Sequence, residues 1–176
     1  MGADYERELK RLLEGDLETL RKMMRTCDAF ECVGYRTVER YPFMVIRGAG
    51  SFGVDLVAIR GEMAFPIEVK SSIHPRVYLN NPRLKEQLAT YTGECGRANT
   101  LPLYALRMKG MVSNKGDPWR IFTVKVEGLK YFSRLLNSKV PSLKPTAGGN
   151  YLLDFAVGMP LSAFLLEISK MLSSVK

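Results

Sequence analysis

One aspartate stands inside an otherwise apolar run, Val54-Asp55-Leu-Val-Ala-Ile59. A carboxylate held among apolar neighbours costs free energy unless it is paired or bound to a cation. The residues that follow narrow the options. Gly61-Glu62 reads as a hairpin turn, and Met63 to Lys70 reads as a strand rich in β-formers near its end. Side chains alternate across a strand, so Glu68 and Lys70 share a face, and a hairpin brings Asp55 towards Glu68. Pro66 has no N–H, which places it at an edge or just before regular pairing.

The rest of the chain supplies a frame for this hairpin. Leu9, Leu12, Leu13, Leu17, Leu20 and Met24 recur at helical spacing, which predicts a helix over 4–26 that Gly15 can divide. Residues 27–41 read as the start of a strand or as loop. Phe43 to Ile46 is an apolar strand closed by Gly48-Ala-Gly50. Residues 71–82 read as loop, Arg83 to Cys95 as a helix with Gly96 as its C′ residue, and Leu101 to Met108 as a strand. A polar loop over 109–118 precedes an alternating strand from Trp119 to Val126. A polar linker with Pro141, Pro145, Gly148 and Gly149 follows. The last element is an amphipathic helix from Leu161 to Leu172, with a face wide enough for a dimer contact or for docking on the sheet. This order gives an α/β sandwich or an α+β domain. The expected organisation is a single domain over 1–176, with a core over about 4–126 and a C-terminal helix over about 160–173.

Composition limits the class of function. Apolar residues are 46% and charged residues 25% of the 176, which excludes disordered, collagen-like and disulfide-scaffold chains. Three cysteines without CxxC spacing read as free thiols of a reducing compartment, here the cytoplasm. No stretch is long and apolar enough to span a bilayer, and the first residues show no signal-peptide pattern. Lys plus Arg is 26 against 18 Asp plus Glu, a net charge of +8. The basic residues are spread through the chain, which suits a folded basic face and a polyanionic partner.

The chemistry then concentrates on Gly50-Ser-Phe-Gly-Val-Asp55 and Glu68-Val-Lys70. Paired carboxylates suit a hard, oxygen-seeking cation such as Mg²⁺, and the main-chain carbonyl of Val69 offers another ligand. A lysine beside them can hold a water or stabilise charge developing on phosphate. The plainer alternative makes Glu68 and Lys70 a solvated strand pair. The position of Asp55 and the basic composition favour the metal site.

These residues resemble the PD-(D/E)XK nuclease superfamily and, more narrowly, the archaeal Holliday junction resolvases. The resemblance rests on Glu6-Arg7-Glu8-Leu9, on Arg47 in Val45-Ile46-Arg47-Gly-Ala-Gly-Ser51, and on Val54-Asp55-Leu-Val-Ala58 followed by Ile67-Glu68-Val-Lys70-Ser71. It extends more weakly to Trp119–Val124 and the last helix. It implies a restriction-endonuclease-like fold, a central mixed five-stranded sheet flanked by helices. It implies a Mg²⁺- or Mn²⁺-dependent endonuclease that cuts four-way DNA junctions as a homodimer and leaves a 5′-phosphate. Glu6 would complete the metal site with Asp55 and Glu68, and Lys70 would be the catalytic lysine. Ser51 would lie in the catalytic loop near the scissile phosphate, and Arg7, Arg47 and Ser71 would contact DNA. The segment over 15–45 and the loop over 109–118 are longer than the family pattern.

Other residues keep alternatives open. Phe52 either wedges against a base step or plugs its loop onto the core. Gln87 and Tyr91 form a Q-x-x-x-Y pattern with i, i+4 spacing on one helical face. In the exonuclease and repair-helicase branch of the superfamily that pattern lies beside the active site; otherwise Tyr91 packs on the sheet. His74 reads as a loop residue, and Tyr78, Tyr104 and Tyr131 as core aromatics or stacking platforms. Two other functions compete: a nuclease for flaps or ends, and a non-catalytic, resolvase-like DNA-binding module. No membrane and no small-molecule cofactor are expected.

Overall fold

The structure, a computed structural model, describes residues 2–48, 54–80, 83–111 and 115–173. Helix α1 (Gly2–Leu13) buries Leu9, Leu12 and Leu13. Gly15 then takes a φ of +76°, and a Cβ there would stand 2.8 Å from the Val38 carbonyl oxygen, so this position divides the predicted helix. Asp16 caps α2 (Leu17–Met24) by accepting from the Thr19 N–H.

The segment read as strand or loop is instead helix α3 (Ala29–Arg40). Its start carries a capping box: Asp28 accepts from the Glu31 N–H, and Glu31 accepts from the Asp28 N–H. Its aromatic and β-branched residues suggested a strand, but Tyr35 and Val38 are buried on its inner side. Gly34 lets helix α6 (Leu161–Ser173) press against it. A Cβ at that position would fall 2.0 Å from the Ser162 carbonyl oxygen.

The main sheet runs, in spatial order, through β1 (Met44–Arg47), β2 (Leu56–Arg60), β3 (Met63–Ser72), β5 (Leu103–Met108), β6 (Trp119–Thr123) and β9 (Met159–Pro160). The first three pair antiparallel, β5 is parallel to β3, and β6 and β9 are again antiparallel. The sheet is therefore mixed. All five expected strands are present, and the short β9 adds a sixth. Pro66 faces Val57 on β2, and pairing with β5 starts one residue later at Ile67, so its missing N–H interrupts no ladder there.

Helix α4 (Leu84–Arg97) makes the crossover from β3 to β5. It runs through Gly96, which is helical rather than the C′ residue, and Ala98 closes it. Three segments read as loop or linker carry further structure: β4 (Arg76–Leu79), α5 (Tyr131–Lys139), and β7 (Lys144–Pro145) with β8 (Tyr151–Asp154). The strands β4, β8 and β7 form a second sheet. These elements are short, and their local pattern is too weak to separate them from turns.

Met63, Phe65 and Ile67 alternate as the buried face of β3, and Phe65 meets Phe164 of α6 edge-on at 5.6 Å. The apolar face of α6 thus docks within this chain: Leu161, Phe164, Leu165 and Ile168 are buried. The other face of β3 carries Pro66, Glu68 and Lys70 towards α4. All three cysteines are free, and burial pushes the Cys27 and Cys95 thiols up to about 12. Among the described residues no helix is long and apolar enough to cross a membrane.

Candidate active site

The β2–β3 hairpin sets the geometry. Gly61, with a φ of +59°, makes the turn, and Leu56 pairs with Ile67 at the other end. Asp55 lies just before β2 rather than inside it. Its N–H still donates to the Ile67 carbonyl at 2.9 Å, and its own carbonyl accepts from Gly48 N–H at 2.8 Å. Gly48 permits that approach, since a Cβ there would lie 2.0 Å from the Val54 carbonyl oxygen. The main chain on both sides therefore fixes Asp55, and its Oδ2 accepts from the Val69 N–H at 2.7 Å.

Around Asp55 the charges are partly matched. Lys70 Nζ lies 2.6 Å from Glu68 Oε1, and Arg47 Nη2 lies 2.7 Å from Glu6 Oε2. Asp55 forms no such ion pair among the described residues. Burial holds its carboxyl above the usual range; the Val69 N–H and Lys70 oppose this, while Glu6 and Glu68 add to it. Glu6, Asp55 and Glu68 thus share one electrostatic field, although α1, the β2 approach and β3 deliver them from distant parts of the sequence.

Among the described residues no three His, Cys, Asp or Glu side chains are gathered as a ready metal cage. Lys70 and Arg47 hold two of the three carboxylates in ion pairs. The oxygen donor set and its uncompensated negative charge still fit a hard divalent cation.

Two tyrosines stand at this site. Tyr104 faces Glu68 in the parallel register of β3 and β5. Burial and a hydrogen bond to Glu68 raise its hydroxyl pKa, so it stays a donor. Sequence reading places Tyr104 on a strand but gives no sign of this contact, because the partner strand comes from 36 residues away. Tyr91 of α4 is buried and feels Glu68 and Asp55; its hydroxyl has no hydrogen-bond partner among the described residues. Gln87, one turn earlier, is exposed.

Other candidates lie apart. Arg7 pairs with Asp4 at 3.2 Å and lines a surface depression with Arg11 and Lys22, away from the Glu6–Arg47 pair. Ser71 follows Lys70 on β3, opposite Arg107. Ser51 and Phe52 lie outside the described residues. Glu8 has a framing role that the motif did not disclose. Its Oε1 accepts from Arg107 Nε at 2.7 Å and from Trp119 Nε1 at 2.9 Å, tying α1 to β5 and β6. Arg107 also lies over the Tyr5 and Trp119 rings.

No curated protein matches the chain. Among solved structures it is similar to Hjc, a Holliday junction resolvase from the archaeal hyperthermophile Archaeoglobus fulgidus. The two are 21% identical over 93% of this chain and 94% of that one, with a TM-score of 0.51. At this identity the likeness carries the fold, which is restriction-endonuclease-like. The family model described as archaeal Holliday junction resolvase (Hjc) matches residues 22–127. That stretch is more than half of the sequence and includes Arg47, Asp55, Glu68 and Lys70, whereas Glu6 precedes it. The chain belongs to the archaeal Holliday junction resolvase family.

Proposed function

We propose that this protein is a divalent-metal-dependent endonuclease, one nuclease domain over 1–176, that hydrolyses phosphodiesters in four-way DNA junctions. The observation that carries this reading is the position of Asp55. It stands in the field of Glu6 and Glu68 with no ion pair of its own among the described residues, next to a lysine already held by Glu68. Family membership supplies the substrate class.

In this reading Asp55, Glu68, Glu6 and the Val69 carbonyl would hold Mg²⁺ or Mn²⁺. The bound cation would supply Lewis-acid stabilisation of phosphate charge and lower the pKa of water. Glu68 keeps the Lys70 ammonium at the site, where it would donate to the attacking water or to a non-bridging phosphate oxygen. The water oxygen would bond to phosphorus and lose a proton to solvent as the bond to the 3′ oxygen breaks, and that oxygen would take up a proton, leaving a 3′-hydroxyl and a 5′-phosphate. Tyr104 would hold Glu68 in place from β5. Arg47, about half exposed beside Glu6, would reach backbone phosphate, Arg7 would do so from the depression it lines, and Ser51 and Ser71 next to the scissile bond, while Phe52 would wedge against a base step or plug its loop onto the core.

Action as a homodimer would place two such sites on opposing strands. Met44 and Ile46 of β1 are more than half exposed and give apolar surface for a second copy. The test is cleavage of a labelled four-way junction and a matched linear duplex, with Mg²⁺ and with EDTA. Symmetric paired nicks in the junction alone, lost in EDTA, are expected. Equal cutting of both substrates would replace the resolvase reading by a nuclease for other DNA structures. Tight junction binding without cleavage under any metal would leave a DNA-binding module.

A further inference from the structure

Arg60 closes β2, about 17 Å along the strand from Asp55 at roughly 3.3 Å per residue. It is only 9% exposed. Its guanidinium lies 5.6 Å from the centroid of the Tyr41 ring and 5.4 Å from that of Phe43. Among the described residues no carboxylate pairs with it, and its Nη1 has no hydrogen-bond partner. Burial lowers its pKa, and Tyr41, which opposes this, is a neutral phenol at pH 7 and supplies no counter-charge. A second guanidinium, that of Arg40, lies 5.2 Å from the centroid of the same Tyr41 ring.

A buried cation without a counter-charge costs several kcal/mol, and cation–π contacts return only about 0.5–2 kcal/mol each. The site therefore carries uncompensated positive charge. Beside it is a cavity of about 200 Å³ lined by Tyr41, Arg60, Ser169, Leu172 and Ser173. The Ser173 hydroxyl donates to the Ser169 carbonyl at 2.8 Å, which leaves the Ser169 hydroxyl as the donor available to a guest.

We propose that this cavity is an anion site that takes a phosphate group, held by the Arg60 guanidinium and the Ser169 hydroxyl. A guanidinium fork matches two phosphate oxygens, and the nearby Arg40 favours a doubly charged anion over a carboxylate. The cavity holds a phosphate and is too small for a whole nucleotide, whose pockets run to roughly 300 Å³ or more. The phosphate has two sources, free inorganic phosphate and the backbone of a DNA arm passing this end of the sheet. The site is separate from the proposed metal centre, so its test does not depend on cleavage.

The experiment is calorimetric titration of the full chain with inorganic phosphate at constant ionic strength. Saturable binding at one site is expected, weakened about tenfold or more in Arg60→Gln by loss of the charge-assisted bonds. Ser169→Asp provides a second arm that does not remove the buried cation. Its carboxylate would occupy the cavity, raise Tm and abolish phosphate binding. The salt dependence of junction binding then separates the sources. A slope reduced by about one in Arg60→Gln identifies a DNA phosphate, and an unchanged slope identifies free phosphate. No saturable heat at tens of millimolar phosphate, or equal binding in the wild type and both variants, would overturn the proposal.

Discussion

The two ends of the β2–β3 hairpin handle charge in opposite ways. At the open end Glu6, Asp55 and Glu68 face, among the described residues, Arg47 and Lys70, so negative charge is in excess there. At the turn end Arg60 is buried between aromatic rings, with no carboxylate paired to it among the described residues. One hairpin thus carries an unfilled demand for a cation at one end and for an anion at the other. Neither arrangement favours stability, because an uncompensated charge in a partly buried place weakens the fold. In the proposed reading, the contrast teaches that both ends are shaped for something that arrives from outside.

The largest effect should come from emptying the open end. Asp55→Ala or Glu68→Ala is expected to lower junction cleavage by about 10³-fold or more, since charge stabilisation at phosphorus is lost. Junction affinity should hold or tighten, because a carboxylate that repels phosphate has gone. Single-turnover cleavage beside a gel-shift titration reads both. An active Asp55→Ala protein would erase the distinction between the two ends.

Next comes the frame that delivers Glu6. Glu8→Ala leaves the Arg107 guanidinium and the Trp119 N–H without their shared acceptor, and should cost about 2–3 kcal/mol in urea unfolding. A loss below 0.5 kcal/mol would show that α1 is held by its leucines alone.

A smaller effect has the opposite sign. The carboxyl of Asp55 has a raised folded-state pKa, so the folded protein keeps this proton after the unfolded chain has released it. The contribution of Asp55 to stability is therefore full below about pH 3.8, the unfolded value, and is lost as pH rises through the folded value. Asp55→Asn should raise Tm at pH 7 by about 1–3 °C, a modest gain because the group is only partly buried. The gain should vanish near pH 3.5. A lower Tm for Asp55→Asn at pH 7 would mean that Asp55 is already compensated.

Tyr91→Phe is the mildest change. It removes a buried hydroxyl that has no partner among the described residues, so stability should stay within about 1 kcal/mol or rise. A fall in the cleavage rate at unchanged stability would assign that hydroxyl to the reaction.

How much of this was legible in the sequence follows from contact range. Asp55, Glu68 and Lys70 sit on one hairpin, whose turn glycine and strand alternation are local signals. The crossover helix α4 and the docking helix α6 were legible from their own periodicity. Helix α3 runs against its residue types, which favour strands; its local helix signal is the Asp28/Glu31 capping box. The second sheet is not legible because its strands are short and β4 pairs with β8 some seventy residues further on. Tyr104 and Glu8 escaped notice for a related reason: their partners are set by sheet register and helix docking. The Glu6–Arg47 contact was not read from spacing either, although the family resemblance pointed to both residues.

The central claim is that the open end of the hairpin binds a divalent cation. Calorimetric titration of the wild-type chain with Mn²⁺, beside Glu68→Gln, tests it most directly. The account predicts one saturable site per chain in the wild type and its loss in the variant. Absence of saturable binding in the wild type, or equal binding in both proteins, would contradict it.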